Sequence, residues 1–283
     1  MNEVQGFILE GSGVRGAVVR LEETWRQVIA EHSYTPQVRT LLGEGVAATV
    51  LLASGIKAKP SVSLQLQGEG PLKLLVIQCA DGSRVRGMAH CSREPHAIPL
   101  LGAGRLVVNV DTGRPNGFFQ GIVPLMSDKL DKCLEAYFEQ SEQLATRLIL
   151  KTSERRVAGL LLQMLPGHDD ARDVDAFEDA AACAATVSAE ELTGLAAEDL
   201  LPKLFAGREI RLFKSHGVTH DCRCTPERLA GVVRMLGADE VRSLLAEQGQ
   251  VELTCEFCNR TFHYDEQATQ AILRDGAQSS VLH

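Results

Sequence analysis

Four cysteines near the C-terminal end are the residues best placed to do chemistry. They stand as Cys222-x-Cys224 and, after thirty intervening residues, Cys255-x-x-Cys258. Zinc takes four soft ligands at the corners of a tetrahedron, and two close pairs can each supply two. Four thiolates leave no open position for water, so the spacing predicts a closed structural zinc site rather than a catalytic one. Two other uses of the same residues stay open at this point. One is a site of three cysteines with His220 or His263. The other is a permanent disulfide framework, which a reducing compartment disfavours. The remaining cysteines, Cys79, Cys91, Cys133 and Cys183, are scattered and read as small core thiols.

Composition narrows the alternatives. The chain has 283 residues, 45% hydrophobic and 23% charged, which is enough for a sizeable core and more than one domain. No apolar run reaches the eighteen residues of a membrane span. The N-terminus, Met1 to Gly6, lacks the basic and apolar regions of an export signal, so a cytoplasmic location without membrane contact is expected. Clustered cysteines there point to metal or redox use. Residues 220–283 carry ten acids and six bases, which lacks the basic footprint of a nucleic-acid-binding module. A thiol oxidoreductase built on Cys255-x-x-Cys258 would need a βαβ unit nearby, and none is readable; no P-loop, nucleophile elbow or H-E-x-x-H occurs. An enzyme is therefore not expected. Gly11-x-Gly13-x-x-Gly16 matches a dinucleotide fingerprint, but Ala17 to Leu21 after it reads as a strand where a helix would be required. A turn is the better reading.

Those cysteines need elements to hold them. Phe7 to Leu9 and Ala17 to Leu21 read as strands. Residues 21–54 read as helical, with Leu21, Trp25, Val28, Ile29 and His32 on one face, Pro36 in the first turn of a second helix and Gly55 at its end. His32 reads as a core or boundary histidine. Strands are expected at 62–67, 72–79, 85–90, 105–110 and 118–123, a helix from near Ser127, and late strands at 144–151 and 156–164. Pro166-Gly167 closes this N-terminal α+β core domain, residues 1–168.

The character then changes. Residues 169–201 carry ten acids and one base, net −9 in a chain of net −8. Like charges at helical spacing weaken a helix. Yet Ser188 to Glu191 fits a capping box, and Leu192, Leu195, Leu200, Leu201, Leu204 and Phe205 offer a docking face. Residues 169–219 therefore read as a helical linker, either an ordinary solvated one or a metastable element that can fold and unfold. In residues 220–283, Thr225-Pro226 resembles an N-cap and first helical position. Leu229 to Leu236 should form a helix ended by Gly237, and Asp239 to Glu247 a second. Val251 to Leu253 and Thr261 to Tyr264 should flank the Cys255–Cys258 knuckle as strands. With few large apolar residues, this small zinc domain would take much of its stability from the metal.

The order of these pieces resembles the redox-regulated heat-shock chaperones of about thirty-three kilodaltons, a bacterial holdase family. The resemblance covers essentially the whole chain. Beyond the four cysteines it rests on Gly13-Val-Arg-Gly16 with Val18-Val19, Leu41 to Glu44, Leu64 to Leu72, Gln120-Gly121, and Tyr137 to Leu144. Ala145 departs from the proline expected there. The resemblance implies a reduced form in which Cys222, Cys224, Cys255 and Cys258 hold one Zn2+ ion and the chaperone is inactive. It implies that oxidation forms the disulfides Cys222–Cys224 and Cys255–Cys258, with zinc released and the linker unfolded. The active form would then bind unfolded or partly folded client proteins without ATP, dimerise, and hand clients to ATP-dependent chaperones. It implies no role for Cys79, Cys91, Cys133 or Cys183, of which Cys183, inside the linker, is the one exposed to side reactions.

Overall fold

In the computed structural model, which describes residues 1–56, 59–92, 100–168 and 170–279, the chain divides into two compact units, Met1–Asp221 and Cys222–His283. The architecture is α+β, as expected. Residues 170–221 pack within the larger unit.

The larger unit is built on two six-stranded sheets. Strands β1 (Asn2–Leu9), β2 (Val14–Leu21), β9 (Val157–Met164) and β8 (Thr146–Thr152) run antiparallel in the order β1-β2-β9-β8. The second sheet holds β5 (Arg84–Cys91), β4 (Leu72–Ala80), β3 (Ser61–Gly68), β6 (Gly104–Asp111) and β7 (Phe118–Pro124), in that order. Gly11 to Gly16 is the turn and first residues of a hairpin, not the entry to a helix. Helix α1 (Glu23–Ile29) leads to α2 (Pro36–Ser54), which Thr35 caps by accepting from the Val38 N–H, with Pro36 at its start and Gly55 at its end.

Helix α2 packs against strands of both sheets. Two glycines permit that approach. A Cβ on Gly43 would come within 2.7 Å of Val157, and one on Gly45 would come as close to Ile77. Helix α3 (Leu130–Tyr137) begins a few residues later than expected and runs into a single π turn, Phe138–Glu142.

The far face of the first sheet is covered by α4 (Ala171–Ala185), α5 (Ala189–Gly194) and α6 (Ala197–Leu204). Phe177, Ala180, Ala184, Leu192, Leu200, Leu201 and Phe205 bury against Phe7, Leu9, Val18, Leu160 and Leu162. Strand β9 is consequently buried along its whole length, the pattern of a strand covered on both faces. The capping box at α5 is present: Ser188 accepts from the Glu191 N–H and Glu191 from the Ser188 N–H. Several acids of this region have partners of their own. Glu178 pairs with Arg147, Asp173 with His168 and Glu191 with Lys203. Arg20, itself buried, donates to the Leu195 carbonyl and pairs with Glu3 at 2.7 Å.

Three short strands then run back along the unit. β10 (Ile210–Leu212) and β11 (His216–Gly217) pair with β1, and β12 (Thr219–His220) pairs in parallel with β5.

The smaller unit contains α7 (Pro226–Gln248), the hairpin β13 (Val251–Thr254) and β14 (Thr261–Tyr264), and α8 (Glu266–Ser279), which sequence reasoning had not identified. Helix α7 is broken at Gly237, whose φ of 84° and ψ of 164° are not helical, so the two expected helices are real segments on either side of it.

Candidate metal centre

Each cysteine pair is placed by local backbone chemistry. Cys222 and Cys224 lie just before Thr225, which caps α7 by accepting from the Arg228 N–H, with Pro226 opening the helix. The second pair sits at the tip of the β13–β14 hairpin. There the Cys255 N–H donates to the Arg260 carbonyl at 3.0 Å, and the Cys258 and Asn259 N–H groups donate to the Cys255 carbonyl at 3.3 and 2.8 Å. Asn259 takes a left-handed φ of 50°, which asparagine tolerates better than most residues and which turns the chain tightly after Cys258. The Tyr264 hydroxyl donates to the Pro226 carbonyl at 2.8 Å, joining the end of β14 to the start of α7. That bond draws the two pairs together, a role for Tyr264 that strand periodicity alone does not reveal.

All four Sγ atoms lie within 4.8 Å of one another. Cys222 and Cys224 are 3.5 Å apart, Cys222 and Cys255 3.6 Å, and Cys224 and Cys258 3.3 Å. A zinc–sulfur bond of about 2.3 Å in a tetrahedron sets sulfurs roughly 3.8 Å apart. The cluster is thus close to the size a zinc ion needs, and well outside the ~2.05 Å of a disulfide. The cysteines are free thiols. Burial pushes the Cys224 thiol up, and hydrogen bonds with Cys258 and Cys222 push it further. The Cys224 sulfur therefore resists ionising by itself, and a dication bound beside it would supply the missing positive charge. The donor set fits a soft metal ion held by thiolates.

His220 and His263 are not members of the cluster found among the described residues. His220 pairs in β12, and the His263 Nδ1 lies 3.1 Å from Glu252 on the neighbouring strand. The other cysteines have different surroundings. Cys79 is buried and its thiol is pushed up to about 12, first by burial and then by Asp81. Cys133 is buried, its thiol raised by burial, and donates to the Ser127 carbonyl. Burial also raises the Cys91 thiol. Cys183 is half-buried against the core beneath α4–α6.

Comparison with known proteins agrees over nearly the whole chain. The family model described as Hsp33 protein matches residues 2–265. The 33 kDa chaperonin of Chromobacterium violaceum is 40% identical over 272 residues, covering 94% of this chain and 92% of that protein. The 33 kDa chaperonin of Shewanella sediminis is 38% identical over 270 residues, covering 94% and 93% respectively. The crystal structure of the 33 kDa chaperonin from Thermotoga maritima superposes with a TM-score of 0.84 at 20% identity, covering 98% of this chain and all of that one, so the fold is shared. By the extent of these matches, the chain belongs to the Hsp33 family of chaperones.

Proposed function

We propose that this chain is a redox-regulated, ATP-independent holdase. The observation that carries the reading is the gathering of four thiol sulfurs within 4.8 Å of one another in the unit with the smallest core. Cys222, Cys224, Cys255 and Cys258 hold one zinc ion in the reduced chain, which when bound keeps their sulfurs ionised and stabilises residues 220–283. Residues 1–168 serve as the core domain and 169–219 as a linker that docks on it in the inactive form.

Activation is an oxidation by peroxide. The sulfurs of Cys222 and Cys224 bond to each other and those of Cys255 and Cys258 do likewise. Each new bond releases two electrons, which together with two protons from solvent reduce one peroxide molecule to two waters. Paired sulfurs no longer donate as thiolates, so the oxidised chain cannot retain the ion and loses the stability it conferred. The linker then releases from the first sheet and the apolar surface beneath α4–α6 becomes available to unfolding proteins. Local disulfides between close cysteines are readily reduced, which makes the change reversible. Dimerisation of the oxidised form, transfer of clients to ATP-dependent chaperones and a cytoplasmic location belong to the same reading.

Light scattering of a heat-denatured client tests it, with zinc content measured on the same samples. The oxidised, zinc-free form should suppress aggregation, and re-reduction with zinc should abolish the effect. Equal suppression by the reduced, zinc-loaded form would remove the switch; no suppression in any state would remove the holdase reading.

A further inference from the structure

The outer edge of the first sheet is closed by the chain's own later sequence. On one side, β1 pairs with β2 along its full eight residues. On the other it meets β10, antiparallel, with Phe7 opposite Leu212, Ile8 opposite Arg211 and Leu9 opposite Ile210. The ladder extends by the Phe213 N–H donating to the Gly6 carbonyl and the Glu10 N–H donating to the Glu209 carbonyl, both at 2.9 Å. In an antiparallel ladder this alternation turns the peptide groups of Gly6, Ile8 and Glu10 toward the added strand. The occupant is lightly held. No residue of β10 is fully buried, and Phe213 stands 46% exposed. Ile210 and Leu212 pack at the rim of the core beneath α4–α6, beside the fully buried Phe7 and Leu9, while Arg211 lies on the other face, 2.8 Å from the Glu10 carboxylate.

We propose that the β1 edge is a strand-addition site for clients, with residues 209–213 as its resident stand-in. The inference rests on the holdase reading and deepens it by naming how a client is gripped. An exposed sheet edge offers a row of unpaired peptide groups to any extended chain, and alternate side-chain positions select among them. The resident segment states the preference: an apolar residue, a basic residue, a second apolar residue. Unfolded proteins expose such segments in abundance, and main-chain pairing recognises them without demanding one sequence. In the inactive form, the site is covered by a segment that ends at Asp221, next in the chain to Cys222. Release of residues 170–221 would uncover both the edge and the apolar face holding Phe7 and Leu9.

The test uses the full chain in three states: reduced with zinc, oxidised, and oxidised with a denatured client, with aggregation and amide exchange followed in the same samples. The Ile8 and Glu10 amides should be protected in the reduced form, exchange about tenfold faster or more after oxidation, and regain protection once client binds. A fluorescent peptide of residues 207–215 should bind the oxidised form and be displaced by client. The same peptide carrying Arg211→Pro, which removes a ladder donor, should bind about tenfold more weakly or worse. Client capture with the Ile8 and Glu10 amides left exchanging fast, or still protected by their own strand, would overturn the strand-addition site while leaving the holdase reading intact. Equal binding of the Arg211→Pro peptide would also overturn it. An oxidised chain that captures no client at all removes the holdase reading, and this inference with it.

Discussion

In the larger unit, α2 lies against two sheets, and Leu42, Val46, Val50, Leu64, Leu75 and Ile77 are buried with it in one continuous apolar core. In the smaller unit, the buried members of the core among the described residues are Val233, Val241, Val251 and Tyr264. Each fully buried side chain of this kind contributes about 1.5–3 kcal/mol. A structural zinc ion in a small domain contributes about 10–16 kcal/mol. The balance of forces therefore differs between the units: apolar burial holds the larger one, whereas a metal at the four cysteines would contribute on the scale of the smaller unit's few fully buried side chains taken together. A change at the four sulfurs would then act first on the smaller unit, and on the larger one only through residues 170–221, which end next to Cys222 in the chain.

The strongest way to break this contrast is to remove a donor. Cys255→Ser should abolish tight zinc binding and leave residues 222–279 exchanging their amides freely, while the melting of the two-sheet core around Trp25 changes little. The single tryptophan, Trp25, is fully buried in the larger unit and reports on that unit alone. Zinc release measured with a chromogenic chelator, together with Trp25 fluorescence, checks both halves. Full zinc retention would show that a residue outside the four, such as His263, can take the place of Cys255. Loss of both units together would show that they do not derive their stability independently.

Between the two extremes lies the cover formed by α4–α6. It has an apolar underside, but its outward acids depend on pairs such as Arg147–Glu178 at 3.1 Å, both partly or largely exposed, each contributing no more than about 1 kcal/mol. The next largest effect is accordingly expected from Leu200→Glu. Leu200 is fully buried against the sheet, and a carboxylate there loses the apolar contact and is desolvated as well. The variant should destabilise docking by about 3–5 kcal/mol. It should increase binding of an apolar dye and give partial aggregation suppression without oxidant. Unchanged dye binding and amide protection over residues 170–205 would place the weak point elsewhere.

How far the sequence disclosed these features depended on how local the signal was. The cysteine spacing, the Thr225-Pro226 start, the Ser188–Glu191 box and the break at Gly237 are all decided within a few residues, and the structure has each of them. The alternating runs became strands for the same reason. What escaped was non-local or carried by small residues. β10, β11 and β12 are two or three residues long and exist only because β1 and β5, some two hundred and one hundred and thirty residues earlier, present edges to them. The docking face of α4 is made by Phe177 with Ala180 and Ala184, and alanines add little to a hydrophobic pattern although they let a helix approach closely. The Tyr264–Pro226 bond that draws the cysteine pairs together spans thirty-eight residues and has no sequence signature.

The smallest of these effects sharpens what a large apolar core permits. Glu44 lies on α2 beside a cavity of about 460 Å³ that is also lined by Lys129, Asp131 and Lys151. Burial pushes its carboxyl up from 4.5 to about 7; Asp131 adds to the rise, and Lys151 and Lys129 oppose it. A carboxyl raised on folding binds its proton more tightly in the folded state. Its contribution to stability is fully present below 4.5 and is lost as the pH rises through about 7. Between pH 5.5 and 8 the loss is on the order of 2 kcal/mol. Glu44→Gln cannot ionise and should not suffer it. Urea unfolding of the reduced chain, followed by Trp25 fluorescence, should therefore show the variant gaining on the parent by about 2 kcal/mol at pH 8 relative to pH 5.5. A difference independent of pH would mean that Glu44 is not raised, and that the cavity is wet enough to keep it ionised. If the shift appears, the larger unit tolerates a partly buried acid because apolar burial elsewhere exceeds the loss, a margin that the small apolar cluster of Val233, Val241, Val251 and Tyr264 does not provide.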